Sequence, residues 1–161
     1  SVGLAEGKTF SSPALAAGFY ARAWLYVPSS VTVNNSLSLI GAEQAVSPYA
    51  GIDILLVPNG QMALNDFTGT GGYTQSATTF SRDAWVCVEW QLVYGATQGA
   101  STLWMSDTPT ALLTNAPTQP SPPYSLFHLE ASFWQVAVAQ PAVDIWIDDV
   151  MVDSQRIGCA K

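Results

Sequence analysis

Between Phe19 and Val27 the chain reads FYARAWLYV, and its side chains alternate without a fault. Phe19, Ala21, Ala23, Leu25 and Val27 fall on one side, and Tyr20, Arg22, Trp24 and Tyr26 on the other. A helix, turning every 3.6 residues or so, cannot segregate such a pattern, whereas a strand with period two does so automatically. The same rule recurs in WVCVEWQLV, from Trp85 to Val93, where Val86, Val88, Trp90 and Leu92 turn to a core and Cys87, Glu89 and Gln91 turn away. Around Phe127 it sets Phe127, Leu129, Ala131 and Phe133 inward and His128, Glu130 and Ser132 outward. GIDILLV near Ile54 and VDIWIDDVMV near Ile147 read as further strands, with LSLI, QMALN and STLWM as shorter ones.

Between these runs lie VPSS, VPNG, TGTGG and SDTPT, stretches rich in turn residues. The proline-heavy NAPTQPSPP, Asn115 to Pro123, reads as a rigid loop. No window sustains an amphipathic helical pattern, and strands recurring with turn punctuation predict an all-β, two-sheet antiparallel β-sandwich (jelly roll). There is no internal repeat or interdomain linker, so residues 1–161 are expected to form one domain.

Charge removes several partners. Twelve acidic residues against five basic ones give a net charge of −7, with Lys and Arg scattered singly, so nucleic acid is not expected as a partner. The apolar runs are broken well short of the ~20 residues a membrane span needs. Only 11% of residues are charged, which leaves Ser, Thr, Asn and Gln to supply much of the polar surface and suits an extracellular, secreted or cell-surface life. Cys87 and Cys159 are the only cysteines, too few for a zinc cluster and not in a Cys-x-x-Cys motif. They read as a disulfide, or else as two unlinked thiols. A bridge would close 72 residues of chain, stabilise by about 4 kcal/mol, and imply an oxidising compartment.

In order and spacing, FYARAWLYVP, WVCVEWQL, VDIWIDDVMVD and the closing RIGC resemble the concanavalin A-like lectin/glucanase superfamily. They are most similar to secreted bacterial jelly rolls of the LamG-like or polysaccharide-lyase-like kind. Members usually carry a strand ahead of the FYARAW-like one, and the opening SVGLAEGKTFSSPALAAG is short for it, so the expectation is either a trimmed chain or an open sheet edge. The E-x-D-x-x-E signature of the superfamily's glucanases is absent.

The resemblance implies a concave sheet face that holds a sugar chain. The outward residues Tyr20, Arg22, Trp24, Glu89, Gln91, Trp104, His128 and Glu130 are its candidate lining, since aromatic rings pack on sugar faces while amides, carboxylates and Arg bond hydroxyls. Alternatively the Trp residues pack under loops and Arg22 pairs with Glu89. Were the chain a polysaccharide lyase working by β-elimination, Arg22 or Gln91 would neutralise the sugar carboxylate and His128 or Tyr20 would take the proton. The I/V-D-x-V-x-V pattern of the superfamily's last strand, matched by Asp148, Val150 and Val152, implies a structural calcium at Asp148. Three functions follow: binding of a polysaccharide or glycan, preferably neutral and without cleavage; lyase action; or a structural protein that self-associates through an open sheet edge.

Overall fold

In a computed structural model the chain forms eleven strands and, among the described residues, no helix. These residues are 6–11, 18–44, 50–68, 72–95, 97–118, 124, 126–133 and 138–160. The strands are β1 (Glu6–Ser11), β2 (Gly18–Tyr26), β3 (Leu37–Glu43), β4 (Gly51–Leu56), β5 (Gln61–Asp66), β6 (Gly72–Thr79), β7 (Trp85–Val93), β8 (Gly99–Met105), β9 (Leu113–Thr118), β10 (Leu126–Phe133) and β11 (Trp146–Asp153). They make two antiparallel sheets. One has six strands in the order β1-β10-β3-β4-β5-β6, the other five in the order β11-β2-β7-β8-β9.

The alternation seen in the sequence is the burial pattern of the sandwich. Phe19, Ala21, Ala23 and Leu25 from β2 and Val86, Val88, Trp90 and Leu92 from β7 face Leu37, Leu39, Ile40, Ile52, Ile54, Leu56 and Met62 from the six-stranded sheet across one continuous core. Phe19 joins the two layers: its ring meets Trp90 of its own sheet at 5.3 Å and Phe127 of the opposite sheet at 6.1 Å, both edge-on. Edge-to-face rings of this kind add about 0.5–1.5 kcal/mol to the area they bury. VPNG makes the predicted turn between β4 and β5, with Gly60 at φ 81°, a conformation that side-chain-bearing residues resist.

Two expectations are corrected. The segment before Gly18 does supply a strand, β1, which pairs with β10 from Glu6↔Ala131 to Ser11↔Leu126 and occupies the edge expected to be open. Part of the proline-rich stretch is not loop but β9, whose Pro117 lies on the outermost strand of its sheet, the place where strands tolerate proline. The remainder, 119–123, lies outside the described residues.

Candidate functional site

The eight expected lining residues do not share a face. Tyr20, Arg22, Trp24, Glu89, Gln91 and Trp104 point out from the five-stranded sheet, as the register Arg22↔Glu89, Tyr20↔Gln91, Trp24↔Cys87 and Glu89↔Trp104 requires. His128 and Glu130 point out from the six-stranded sheet, on the far side of the core. Arg22 and Gln91 therefore cannot meet His128 at one sugar, and of the expected lyase pairings only those with Tyr20, the cross-strand partner of Gln91, share a face. Period two tells outward from inward; it cannot tell one outside from the other.

On the five-stranded sheet the outer surface is closed by the chain's own last turn. Cys159 is bonded to Cys87 with Cα atoms 5.9 Å apart, which draws residues 154–160 across the strands. Glu89 is 1% exposed: its Oε1 accepts the N–H groups of Ile157 at 2.7 Å and Gly158 at 3.1 Å, and its Oε2 accepts Arg156 Nε at 3.0 Å. Arg156 in turn lies 4.5 Å over the Trp104 ring, which stacks with Tyr20. Arg22 faces Glu89 across the ladder but pairs elsewhere, donating to Asp149 Oδ1 at 2.8 Å and to the Gly158 carbonyl at 3.2 Å. Asp149 reaches it from a bulge in β11, at φ 49°. Asp148, the expected calcium ligand, is exposed and accepts the Asp149 N–H at 2.8 Å. Among the described residues it joins no group of three acidic, His or Cys ligands, so backbone carbonyls and water would have to complete a calcium shell there.

Beyond the reach of that strap, the same sheet presents a row of rings that the candidate set omitted. Trp146, Tyr26 and Trp85 are cross-strand partners on β11, β2 and β7. Their ring centroids are 5.6 and 5.7 Å apart, and Trp85 and Trp146 are 45% and 50% exposed. Trp24, one of the expected residues, lies two positions from Tyr26 on the same face. The signal was present: Trp85 is outward by the same count that turned Cys87 and Glu89 outward, and Tyr26 by the count that turned Trp24.

On the six-stranded sheet, β10, β3 and β4 bring together His128, Gly41 and Asp53, which are register partners. His128 Nε2 lies 3.3 Å from Asp53 Oδ1 and 3.2 Å from Glu130 Oε1, and its Nδ1 is 3.8 Å from Glu43 Oε1. Ser38 and Ser132 donate to the two oxygens of Glu130 at 2.6 and 2.5 Å. Burial alone would push the imidazole down, but the hydrogen bonds and charges of Asp53 and Glu130 outweigh it and push His128 up to about 10. Burial raises Asp53 and Glu43 above the usual carboxylate range, against the pull of His128. Burial also raises Glu130, but there the bonds from His128, Ser132 and Ser38 win and the group is held below that range. Of this cluster, sequence reading reached His128 and Glu130 but not Asp53, Glu43 or Gly41, whose approach depends on strand pairing over long separations.

No protein-family model matches the chain, and no curated protein matches it. Solved structures do. An alginate lyase, vAL-1, from Chlorella virus superposes with a TM-score of 0.67 at 11% identity, over 88% of this chain and 72% of that one. An endo-β-1,4-glucuronan lyase from the fungus Trichoderma reesei gives 0.67 at 11% identity, over 90% and 71%. The cellulose induced protein Cip1 gives 0.62 at 13% identity, over 91% and 72%. In fold, then, this chain is an antiparallel β-sandwich of the jelly-roll kind, shared with these structures.

Proposed function

We propose that the chain binds a neutral polysaccharide, without cleaving it, through the row Trp85, Tyr26 and Trp146 with Trp24 beside it. The observation that carries this reading is the exposure of two large rings, half open to water, in one line with a third across three paired strands. An aromatic ring left in water gains by covering its face, and the apolar face of a sugar ring is a partner of matching shape. Neutral glycans are favoured because Arg22, the nearest outward cation in the ladder, is already held by Asp149 and backbone carbonyls, while the chain as a whole carries −7. Sharing a fold with an alginate lyase, a glucuronan lyase and Cip1 supports carbohydrate as the ligand class. The Cys87–Cys159 bridge fits action in an oxidising, extracellular setting.

The same geometry supports non-cleavage. Of the two expected proton acceptors, His128 is on the opposite sheet from the rings with its Nε2 turned to two carboxylates, and Tyr20 is stacked against Trp104. Affinity electrophoresis against neutral and uronate polysaccharides tests the reading. Retardation by a neutral polymer is expected, weakened about tenfold or more, equivalent to about 1.4 kcal/mol, in Trp85→Ala and in Trp146→Ala. Unchanged binding in the double variant would sink the platform. Release of unsaturated uronate products would overturn non-cleavage, and absence of all glycan binding together with polymers on size exclusion would favour a self-associating structural protein.

A further inference from the structure

In the cluster on the six-stranded sheet one imidazole nitrogen is shared between two carboxylates, at separations longer than a charge-assisted bond prefers. One imidazole N–H faces two carboxylate oxygens, at 3.3 and 3.2 Å. Charge-assisted N–H···O bonds settle at about 2.7–2.9 Å, and a single proton cannot lie on both lines at once. The same separations are natural for donors that share an ion. Four ligands at about 2.0–2.1 Å around a tetrahedral zinc stand about 3.3 Å from one another. One donor atom from each of Asp53, His128 and Glu130 lies within 4.8 Å of the other two, and the side chains are 6%, 12% and 12% exposed.

We propose that Asp53, His128 and Glu130 form a site for a single divalent transition-metal ion of the zinc or manganese type. One imidazole and two carboxylates are an N/O set of intermediate hardness, which suits these ions and not calcium or magnesium, whose ligands are oxygen throughout. The surroundings have the features that orient metal ligands. Ser38 and Ser132 fix both oxygens of Glu130, and Glu43 faces the second ring nitrogen of His128, where a carboxylate commonly holds a ligating histidine. Gly41 keeps the donors clear: a Cβ there would lie 2.0 Å from His128 Nε2 and 2.3 Å from Asp53 Oδ1. The charge also calls for a cation. Among the described side chains the two arginine ion pairs, Arg22–Asp149 and Arg156–Glu89, are both on the other sheet, and the cation facing Asp53, Glu130 and Glu43 is the imidazole. Three protein ligands leave at least one position for water.

The test uses the whole chain, stripped with chelator and titrated with zinc chloride, and separately with cobalt(II) chloride. One-to-one saturable heat on zinc addition is expected, and bound cobalt should show the intense visible d–d bands of four- or five-coordinate geometry. Asp53→Asn and His128→Gln should each abolish the saturable isotherm, and Glu43→Gln should weaken it about 10–100-fold. Should His128→Gln fail to fold, as judged by its strand circular dichroism, Asp53→Asn decides alone. No saturable binding, binding retained in Asp53→Asn, or only the pale spectrum of octahedral aqueous cobalt would overturn the site. None of these outcomes touches the aromatic row, which lies on the other sheet.

Discussion

The outer faces of the two sheets bury polar groups by opposite means. On the five-stranded sheet Glu89 is sealed by a strap that is distant in sequence, and it is satisfied by backbone N–H groups brought there by a covalent bond. On the six-stranded sheet His128, Asp53 and Glu130 satisfy one another from adjacent strands of the same sheet, and Gly41 gives them room. The first solution depends on a tether and the second on register. A strapped face thus fails as a unit when the tether goes, while a registered one fails position by position.

Cutting the tether should therefore have the largest effect. Cys87→Ser combined with Cys159→Ser removes a 72-residue closure worth about 4 kcal/mol, and calorimetry should show the melting temperature fall by about 10 °C. Hydrogen exchange at Ile157 and Gly158 should accelerate in the same variant while the strands around Asp53 stay protected. Equal acceleration on both sheets would erase the distinction. Next comes Glu89→Ala, which strands two partly buried N–H groups and Arg156; urea titration should report a loss of about 1–3 kcal/mol. Gly41→Ala tests the other face. A methyl group forced against His128 Nε2 should cost about 1–3 kcal/mol and leave exchange at Ile157 and Gly158 unchanged.

The smallest effect is the pH profile of the metal-free protein. His128, facing Asp53, Glu130 and Glu43, has a folded value of about 10, above its ordinary 6.5. Its stabilisation is fully present below about pH 6.5 and is lost as pH rises through about 10. The gap in melting temperature between the wild type and His128→Gln should narrow over that window, and a gap that widens with rising pH would contradict the ion-pair geometry.

What the sequence made legible follows from where each strand sits. The central strands β2 and β7 have one face on the core, and their alternation is visible residue by residue. The strands that went unread, β1, β6 and β9, are all at sheet edges. An edge strand has one neighbour and more water around it, so nothing enforces alternation: β6, GYTQSATT, is mostly exposed and carries a single buried residue, Ser76. The fourth edge, β11, was read because Ile145, Ile147 and Val150 still pack on the core. For the sites, direction was legible and address was not. Glu89 and His128 are both outward by the same rule, yet only pairing tells that they lie on opposite sides of the core. Asp53, inside the run GIDILLV, looked like one polar residue on a buried strand, and its meaning depends on β10, which enters next to β3 from far along the chain.

The pairing of β1 with β10 sets a timetable for assembly. β1 is the first of the eleven strands to be synthesised, and its ladder to the sheet runs through β10 alone. Until residues 126–133 arrive, the oldest strand has no neighbour, and β3 carries an unpaired edge that any other extended chain could occupy. Insertion of β10 satisfies both in one step and completes the His128 cluster as it does so. A contact spanning nearly the whole chain carries the larger loop-closure entropy, so it is expected to form after the local hairpins β3-β4-β5 and β7-β8.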